Sequence, residues 1–383
     1  MILLITPFFP PSVGGVETHL DDYINYLKVK KIKTYVLTYK LVKIAAKVPF
    51  KERRGSVTIY RFPYLGLNLF YRLEFYPVAQ FLYLFSGLFV YSFFILLLHH
   101  RGIRIIHSHG FASGLVSGLL GKIFQKKPII SLHTIYKLSQ RPQLARSAKM
   151  ILNLNEHILA IAPGCKDDLI RIGITKKKIT VYGYWVDTSQ FKLLRQLDCQ
   201  KRLNLPKDSF ILLFVGRFTP EKLVKEALLV ASLLPFATVL FVGQGPLEKK
   251  VKIWEKRFPN IKLVGPVENI KMPDYYNAAD LLLLGSVDED YFGKVTMEAM
   301  SSGLPVLIPN ESYYFGKYAK IDPTILPSSC GFLVDLDPKS IAQKINKLSR
   351  HREKLRKMRP SCRKFALANF GPKNAEIIFQ TYG

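Results

Sequence analysis

Acidic side chains are scarce in this 383-residue chain: 28 Asp plus Glu stand against 56 Lys plus Arg, a formal charge of +28. A field of that sign attracts polyanions, and nucleic acid or an anionic membrane face are the partners it points to. No aromatic–basic repeat or helix-turn-helix signature accompanies the charge, so nucleic acid is not the expected partner. Cysteine is also sparse. Cys165, Cys199, Cys330 and Cys362 lie far apart and form no CxxC or zinc spacing, so a reduced, intracellular compartment is expected. The start, MILLITPFFPP, lacks a basic leader and a cleavage site, so no signal peptide is expected. The glycine turn GQGP is not a full GxGxxG fingerprint, because Glu248 occupies the third glycine position.

Charge is missing altogether from Phe75 to Leu98. A helix of about 20 residues spans a bilayer, so this stretch is long enough to do so. Pro77, Gln80, Ser86, Gly87 and Ser92 interrupt it, and expected strands of one domain, Val57–Phe62 and Ile103–Ile106, flank it. A buried or interfacial helix is therefore preferred to a spanning one.

What is present is an α/β pattern long enough for two domains, with 49% hydrophobic residues. The most informative stretch is Leu281–Pro309, LLLLGSVDEDYFGKVTMEAMSSGLPVLIP. Leu281–Leu284 and Leu304–Ile308 are short apolar runs suited to buried parallel strands. Between them a polar loop leads to a helix from Gly293 to about Ser302, with Gly303 placed to close it. A helix N-terminus fed by a loop is an anion site. Asp290 and Glu298 beside it would repel phosphate but accept hydrogen bonds from hydroxyls, so a nucleotide, a sugar or both are expected. A solvent-facing role for Glu298 is the competing reading.

Other candidates sit after other strands. Gly14 and Gly15 follow Met1–Thr6 and allow close backbone approach to a ligand. His107 and His109 fall on one side of a strand end, either as a structural pair or as ligand groups. Arg217 and Lys222 follow Ile211–Val215, where two cations suit a diphosphate unless both are ordinary surface charges. Gly243 and Gly245 make a nucleotide-proximal turn. Lys40–Arg54 reads as a basic loop or lid, Asp187 to about Asp208 as an inter-domain linker, and Arg350–Arg359 as a basic helix face that either is solvated or meets phospholipid. Tyr275 and Tyr276 read as packing residues.

The string DYFGKVTMEAMSSGLPV resembles the acid-x7-Glu motif of the retaining glycosyltransferases of family 4, with Asp290 where the first Glu usually stands. PSVGGVE, the HSH strand end, the HT at His133–Thr134 and GRFTPEK, in that order, are similar to further motifs of the family. The resemblance implies an α/β GT-B fold, two Rossmann-like doubly wound domains facing a central cleft. Their expected extents are residues 1–190, with a tail 366–383 crossing back, and 200–365. It further implies transfer of a hexose-type sugar from a nucleotide diphosphate sugar, UDP- or GDP-linked, to an acceptor hydroxyl.

Carried over residue by residue, the resemblance gives Glu298 the ribose hydroxyls, Asp290 the donor sugar, and the Phe292–Gly293–Lys294 backbone the phosphates. Arg217 and Lys222 take the pyrophosphate, Val267 lies by the base, and His109 and then His133 face the sugar. Gly14, Gly15 and Glu17 lie by phosphate and acceptor. Two departures stand out: Leu223 replaces a Gly after EK, and Tyr184–Trp185 replace Asn-Gly before Val186–Asp187. No cofactor or metal is expected, although Asp288 and Asp290 form a DxD string. The charge and the apolar stretch favour a lipid or lipid-linked saccharide acceptor and a cytoplasmic, membrane-peripheral location. A same-fold enzyme acting on a soluble sugar or sugar phosphate, and a basic nucleic-acid-binding protein, are the alternatives.

Overall fold

The computed structural model describes every residue except 13, 41–47, 65–68, 70–71, 74–75, 286, 289–290, 315–316 and 322, and describes only the backbone of 287–288, 291, 312–314 and 317–319. The chain divides into two compact units, Met1–Tyr184 with Lys373–Gly383, and Trp185–Pro372.

The first unit is built on eight strands: β1 (Ile2–Ile5), β2 (Thr34–Tyr39), β3 (Lys51–Arg54), β4 (Val57–Phe62), β5 (Ile105–His109), β6 (Lys127–Leu132), β7 (His157–Ala160) and β8 (Ile179–Val181). They form one sheet in the order β3-β4-β2-β1-β5-β6-β7-β8, parallel except where β3 meets β4. Every residue of β1 and β2 is buried, as expected of strands covered on both faces. Helices α1 (Gly15–Val29), α2 (Pro77–His99), α3 (Phe111–Phe124), α4 (Pro142–Leu154) and α5 (Pro163–Arg171) connect them.

Part of the expected basic loop is a strand. In β3, a charged edge strand, Glu52 pairs with Arg54 and with the buried Arg61 at 2.7 Å. Charged edges discourage pairing with another chain and hide a strand from apolar pattern reading. Residues 41–47 of that loop lie outside the described residues. Helix α2 has two faces. Leu84, Leu88, Ile95 and Leu96 join the core with Leu3, Leu37 and Ile106. Val78, Leu82, Phe94, Leu97 and Leu98 are exposed, Val78 and Leu98 by 74%. The helix is long and apolar enough to cross a membrane by length and composition. It nevertheless packs on α3 and β2, and the strands before and after it share one sheet.

The second unit carries β9 (Phe210–Val215), β10 (Ala237–Val242), β11 (Ile261–Gly265), β12 (Leu281–Leu283), β13 (Val287–Asp288), β14 (Tyr291–Phe292), β15 (Val306–Pro309), β16 (Glu311–Tyr314), β17 (Lys317–Lys320) and β18 (Gly331–Val334). Its main sheet is parallel and runs β11-β10-β9-β12-β15-β18, while β13–β14 and β16–β17 are small antiparallel pairs. Its helices are α6 (Gln196–Arg202), α7 (Val224–Ser232), α8 (Glu248–Arg257), α9 (Met272–Ala278), α10 (Lys294–Ser301), α11 (Pro338–Ser349) and α12 (Arg352–Asn369). The last helix, α13 (Lys373–Gln380), returns to the first unit, where Asn374 donates to the Tyr184 carbonyl at 2.9 Å.

Two expected boundaries therefore move. Residues 187–208 are not a free linker: α6 packs on α9, and Gln200 donates to the Ala278 carbonyl at 3.0 Å. The returning tail starts at 373 rather than 366, because Phe370 packs on Phe292 at 5.5 Å. The basic face 350–359 is partly turned inward. Arg359 bonds the Ala279 and Asn277 carbonyls, and Arg352 pairs with Asp280 at 2.7 Å. Asp280 is buried just before β12 and also accepts from the Ile211 amide at 2.8 Å, tying the starts of β9 and β12 together. Without Arg352 the buried Asp280 carboxylate keeps only neutral donors, the Ile211 amide and the Gln196 side chain. Arg352→Met should cost about 3–5 kcal/mol in urea unfolding. A cost below ~1 kcal/mol, typical of a surface pair, would contradict this account.

Candidate active site

Both parallel sheets reverse strand order beside their first strand, between β1 and β5 and between β9 and β12. Ligands of open α/β sheets bind beyond the carboxyl ends of the strands at such switch points. Several of the expected residues fall there.

In the second unit, Gly216–Lys222 leaves β9. Arg217 is exposed and Lys222 half-buried. Leu223 adopts φ +57°, a left-handed conformation that glycine takes without strain, and stands at the N-cap position of α7. The departure at this position is thus absorbed by the backbone. From neighbouring β12 the chain passes through β13–β14 to Gly293, which precedes α10. A Schellman closure ends α10: the Gly303 amide bonds the Met300 carbonyl and the Leu304 amide the Ala299 carbonyl, with Gly303 at φ +78°.

Glu298 lies inside the unit at 6% exposure and accepts from the Tyr276 hydroxyl at 2.7 Å. The solvent-facing alternative is excluded, and Tyr276 is more than a packing residue. Burial and the neighbouring Glu298 carboxylate raise the Tyr276 pKa, so the phenol keeps its proton. The side chain of Lys294 is buried and donates to the Trp185 carbonyl, which leaves its backbone as the part at the helix start. Phe292 packs between Phe365 and Phe370.

Gly243 has a structural cause of its own. A Cβ there would stand 2.0 Å from the Gly216 carbonyl oxygen, so the glycine lets the turns after β9 and β10 touch. Val267 is half-buried beyond β11, at the sheet edge away from the switch point. Asp290 lies outside the described residues, as does the Asp288 side chain.

In the first unit, Gly14 precedes α1, and Glu17 folds back over it. A Cβ on Gly14 would lie 2.3 Å from the Glu17 carboxylate, whereas one on Gly15 meets nothing within 4 Å. Glu17 holds the third helical position, where an acid commonly reaches back to cap the helix start.

The HSH pair separates into two roles. His107 has both ring nitrogens engaged, with the Tyr382 hydroxyl and Ser131 Oγ, each at 2.7 Å. His109 Nδ1 meets His133 Nε2 at 2.9 Å, while its Nε2 is buried with no hydrogen-bond partner among the described residues. His133 Nδ1 faces two phenols, Tyr184 at 3.0 Å and Tyr182 at 3.1 Å. His19 stacks on Tyr184 at 4.4 Å. The sequence pointed to His109 and His133. It gave no sign of His19, Tyr182 or Tyr382, and it marked Tyr184 only as a departure from a familiar string.

Residues 13–190 match the family model "Glycosyltransferase Family 4", and residues 197–365 match "Glycosyl transferases group 1". The chain belongs to the group 1, family 4 glycosyltransferases. This glycosyltransferase is 23% identical over 360 residues to the phosphatidylinositol N-acetylglucosaminyltransferase GPI3 subunit of Saccharomyces cerevisiae, covering 85% of this chain and 73% of that one. It is 27% identical to the D-inositol 3-phosphate glycosyltransferase 2 of Catenulispora acidiphila over 53% of this chain, and spans about half, 54%, of that protein. Among solved structures, the sucrose-phosphate synthase of Thermosynechococcus elongatus superimposes with TM-score 0.77 at 20% identity, covering 100% of this chain and 98% of that one. Anabaena Alr3699/HepE in complex with UDP-glucose gives 0.71 at 18% identity, covering 100% and 99%. The fold is GT-B, two Rossmann-like α/β domains.

Two outcomes follow from this geometry. Tyr276→Phe removes a hydrogen bond to a buried carboxylate and should cost about 1.5–3 kcal/mol in urea unfolding. In a Glu298→Ala background most of that cost should vanish, and an unchanged cost would show that the pair is not coupled. The second outcome concerns pH. Burial, the largest cause, holds His107 and His133 at a pKa of about 3 and His109 well below the usual histidine value. Unfolded histidines take up protons below about pH 6.5 while the folded ones refuse them. The stability of the first unit should therefore fall as pH drops from about 6.5 toward 3, by up to ~1.4 kcal/mol per pH unit for each histidine. Faster amide exchange in β5 and β6 at pH 5 than at pH 7, after correction for intrinsic rates, would show it, and equal protection would contradict it.

Proposed function

We propose that this glycosyltransferase is a retaining, metal-independent enzyme that moves a hexose-type sugar from a UDP- or GDP-linked donor to a hydroxyl of a membrane lipid or lipid-linked saccharide, working as a peripheral protein on a cytoplasmic membrane face. The observation that carries the donor half is at the second switch point. The loop after β9 bears Arg217 and Lys222, and the segment after β12 ends in α10 with the buried Glu298–Tyr276 pair. Cations and helix-start amides suit a diphosphate, and a carboxylate with a fixed neighbour suits ribose hydroxyls. The likeness to a fold solved with UDP-glucose supports this reading.

The chemistry would then be electrostatic. The bond from the anomeric carbon to the diphosphate breaks, and Arg217, Lys222 and the α10 amides receive the charge that grows on the leaving group. The acceptor hydroxyl attacks from the face the diphosphate leaves and gives up its proton to a departing phosphate oxygen. His109 orients the sugar. No pair of catalytic carboxylates is needed. Donor hydrolysis should persist in excess chelator. Complete loss restored by a divalent metal would overturn the metal-independent reading.

The acceptor half rests on α2. Its outer stripe of Val78, Leu82, Phe94, Leu97 and Leu98 is apolar, exposed Arg101 and Arg104 follow it in sequence, and a relative carries phosphatidylinositol in its name. The protein should co-sediment with anionic phospholipid vesicles and less with neutral ones. Phe94→Ser/Leu97→Ser/Leu98→Ser should weaken that binding roughly tenfold or more, since each large apolar side chain contributes about 1.5–3 kcal/mol when fully buried. Equal recovery of wild type and variant would favour the second reading, a soluble sugar phosphate acceptor. The likeness to an inositol 3-phosphate glycosyltransferase supports that alternative.

A further inference from the structure

The first unit holds a chain of aromatic polar groups whose proton positions can be worked out. His133 Nδ1 lies 3.0 Å from the Tyr184 hydroxyl and 3.1 Å from the Tyr182 hydroxyl, and His133 Nε2 lies 2.9 Å from His109 Nδ1. Tyr182, Tyr184 and the imidazoles of His107 and His109 are buried, and His133 is half-buried. Each neutral imidazole carries one N–H and one bare nitrogen. A phenol, with an ordinary pKa of about 10, is a far better donor than a neutral imidazole N–H, and a bare imidazole nitrogen is a far better acceptor than a phenol oxygen. The favoured direction is therefore from phenol to His133 Nδ1. Only one of the two phenols has to donate. The Tyr182 hydroxyl has two other neighbours, the Leu132 carbonyl at a long 3.5 Å and the Ser131 hydroxyl.

A bare Nδ1 puts the His133 proton on Nε2, pointing at His109 Nδ1. That nitrogen must then be bare as well, and the His109 proton goes to Nε2, the buried atom with no partner among the described residues. We propose that Tyr184 and Tyr182 act through His133 to hold His109 as its Nε2–H tautomer, so that His109 offers a ligand oxygen at the end of β5 a hydrogen-bond donor and not a base. Tyr182, Tyr184 and His133 are positioning residues in this scheme. Burial, which opposes protonation of both histidines, keeps the relay neutral. The identity of that ligand as the donor sugar rests on the transferase reading above. The tautomer does not.

The test is a long-range proton–nitrogen correlation spectrum of the full chain with isotope-labelled histidine near neutral pH, assigned with His109→Gln and His133→Gln. The expected result is that both rings are protonated at Nε2 and bare at Nδ1. A wild-type His109 protonated at Nδ1 overturns the proposal without any further variant. In Tyr182→Phe/Tyr184→Phe the two rings should exchange between tautomers. Sugar transfer or donor hydrolysis should fall by roughly three- to tenfold in kcat with KM little changed, the range expected for one neutral hydrogen bond. Tyr184→Gln on the Tyr182→Phe background, which regains an N–H donor, should recover the single tautomer. A double variant with unchanged ring signals also overturns the proposal. Wild-type rings protonated at Nε2 in a protein that binds no nucleotide sugar would uphold the relay and defeat the transferase reading instead.

Discussion

The reversal of strand order beside the first strand of each sheet is the constraint on which the rest depends. A right-handed crossover from β1 can lead to only one side at a time. Where the direction switches, two adjacent strand ends open a crevice that no helix covers. In the first unit that point lies between β1 and β5, and the chain places there a glycine turn, with the Glu17 carboxylate folded over Gly14, and His109. In the second it lies between β9 and β12, with Arg217 and Lys222 on one side and the approach to α10 on the other. Because the strands are apolar and buried, the polar groups at their ends are held by a rigid base.

Charge and burial are divided in an instructive way. The chain as a whole is strongly basic, yet the groups around His109 are kept neutral by burial and by each other. The one carboxylate buried in α10 accepts from the Tyr276 phenol. The Lys294 side chain of the same helix donates to the Trp185 carbonyl.

The sequence made the parallel strands, the α10 helix and its glycine closure legible, because burial on both faces demands unbroken apolar runs and a Schellman closure demands positive φ. It failed where the pattern is set by an edge or by distant partners. Lys51–Arg54 is a strand without an apolar residue, recognisable only beside Val57–Phe62. Residues 196–202 look like a linker because their helix depends on α9, some 75 residues away. Tyr276 and Glu298 are 22 positions apart, and Tyr184 and His133 are 51 apart, so no period could pair them. Family resemblance gave Glu298, His109 and the two cations their expected places. The same resemblance was silent on Tyr184, because there the chain leaves the familiar string.

The central claim is a nucleotide site organised around Glu298, and calorimetric titration with UDP, GDP and ADP on wild type and Glu298→Ala tests it most directly. The account predicts that one diphosphate binds and that the variant weakens it by roughly tenfold or more, the loss of a charge-assisted hydrogen bond worth about 1.5–3 kcal/mol. Failure of all three to bind the folded protein, or equal binding by both proteins, would contradict it.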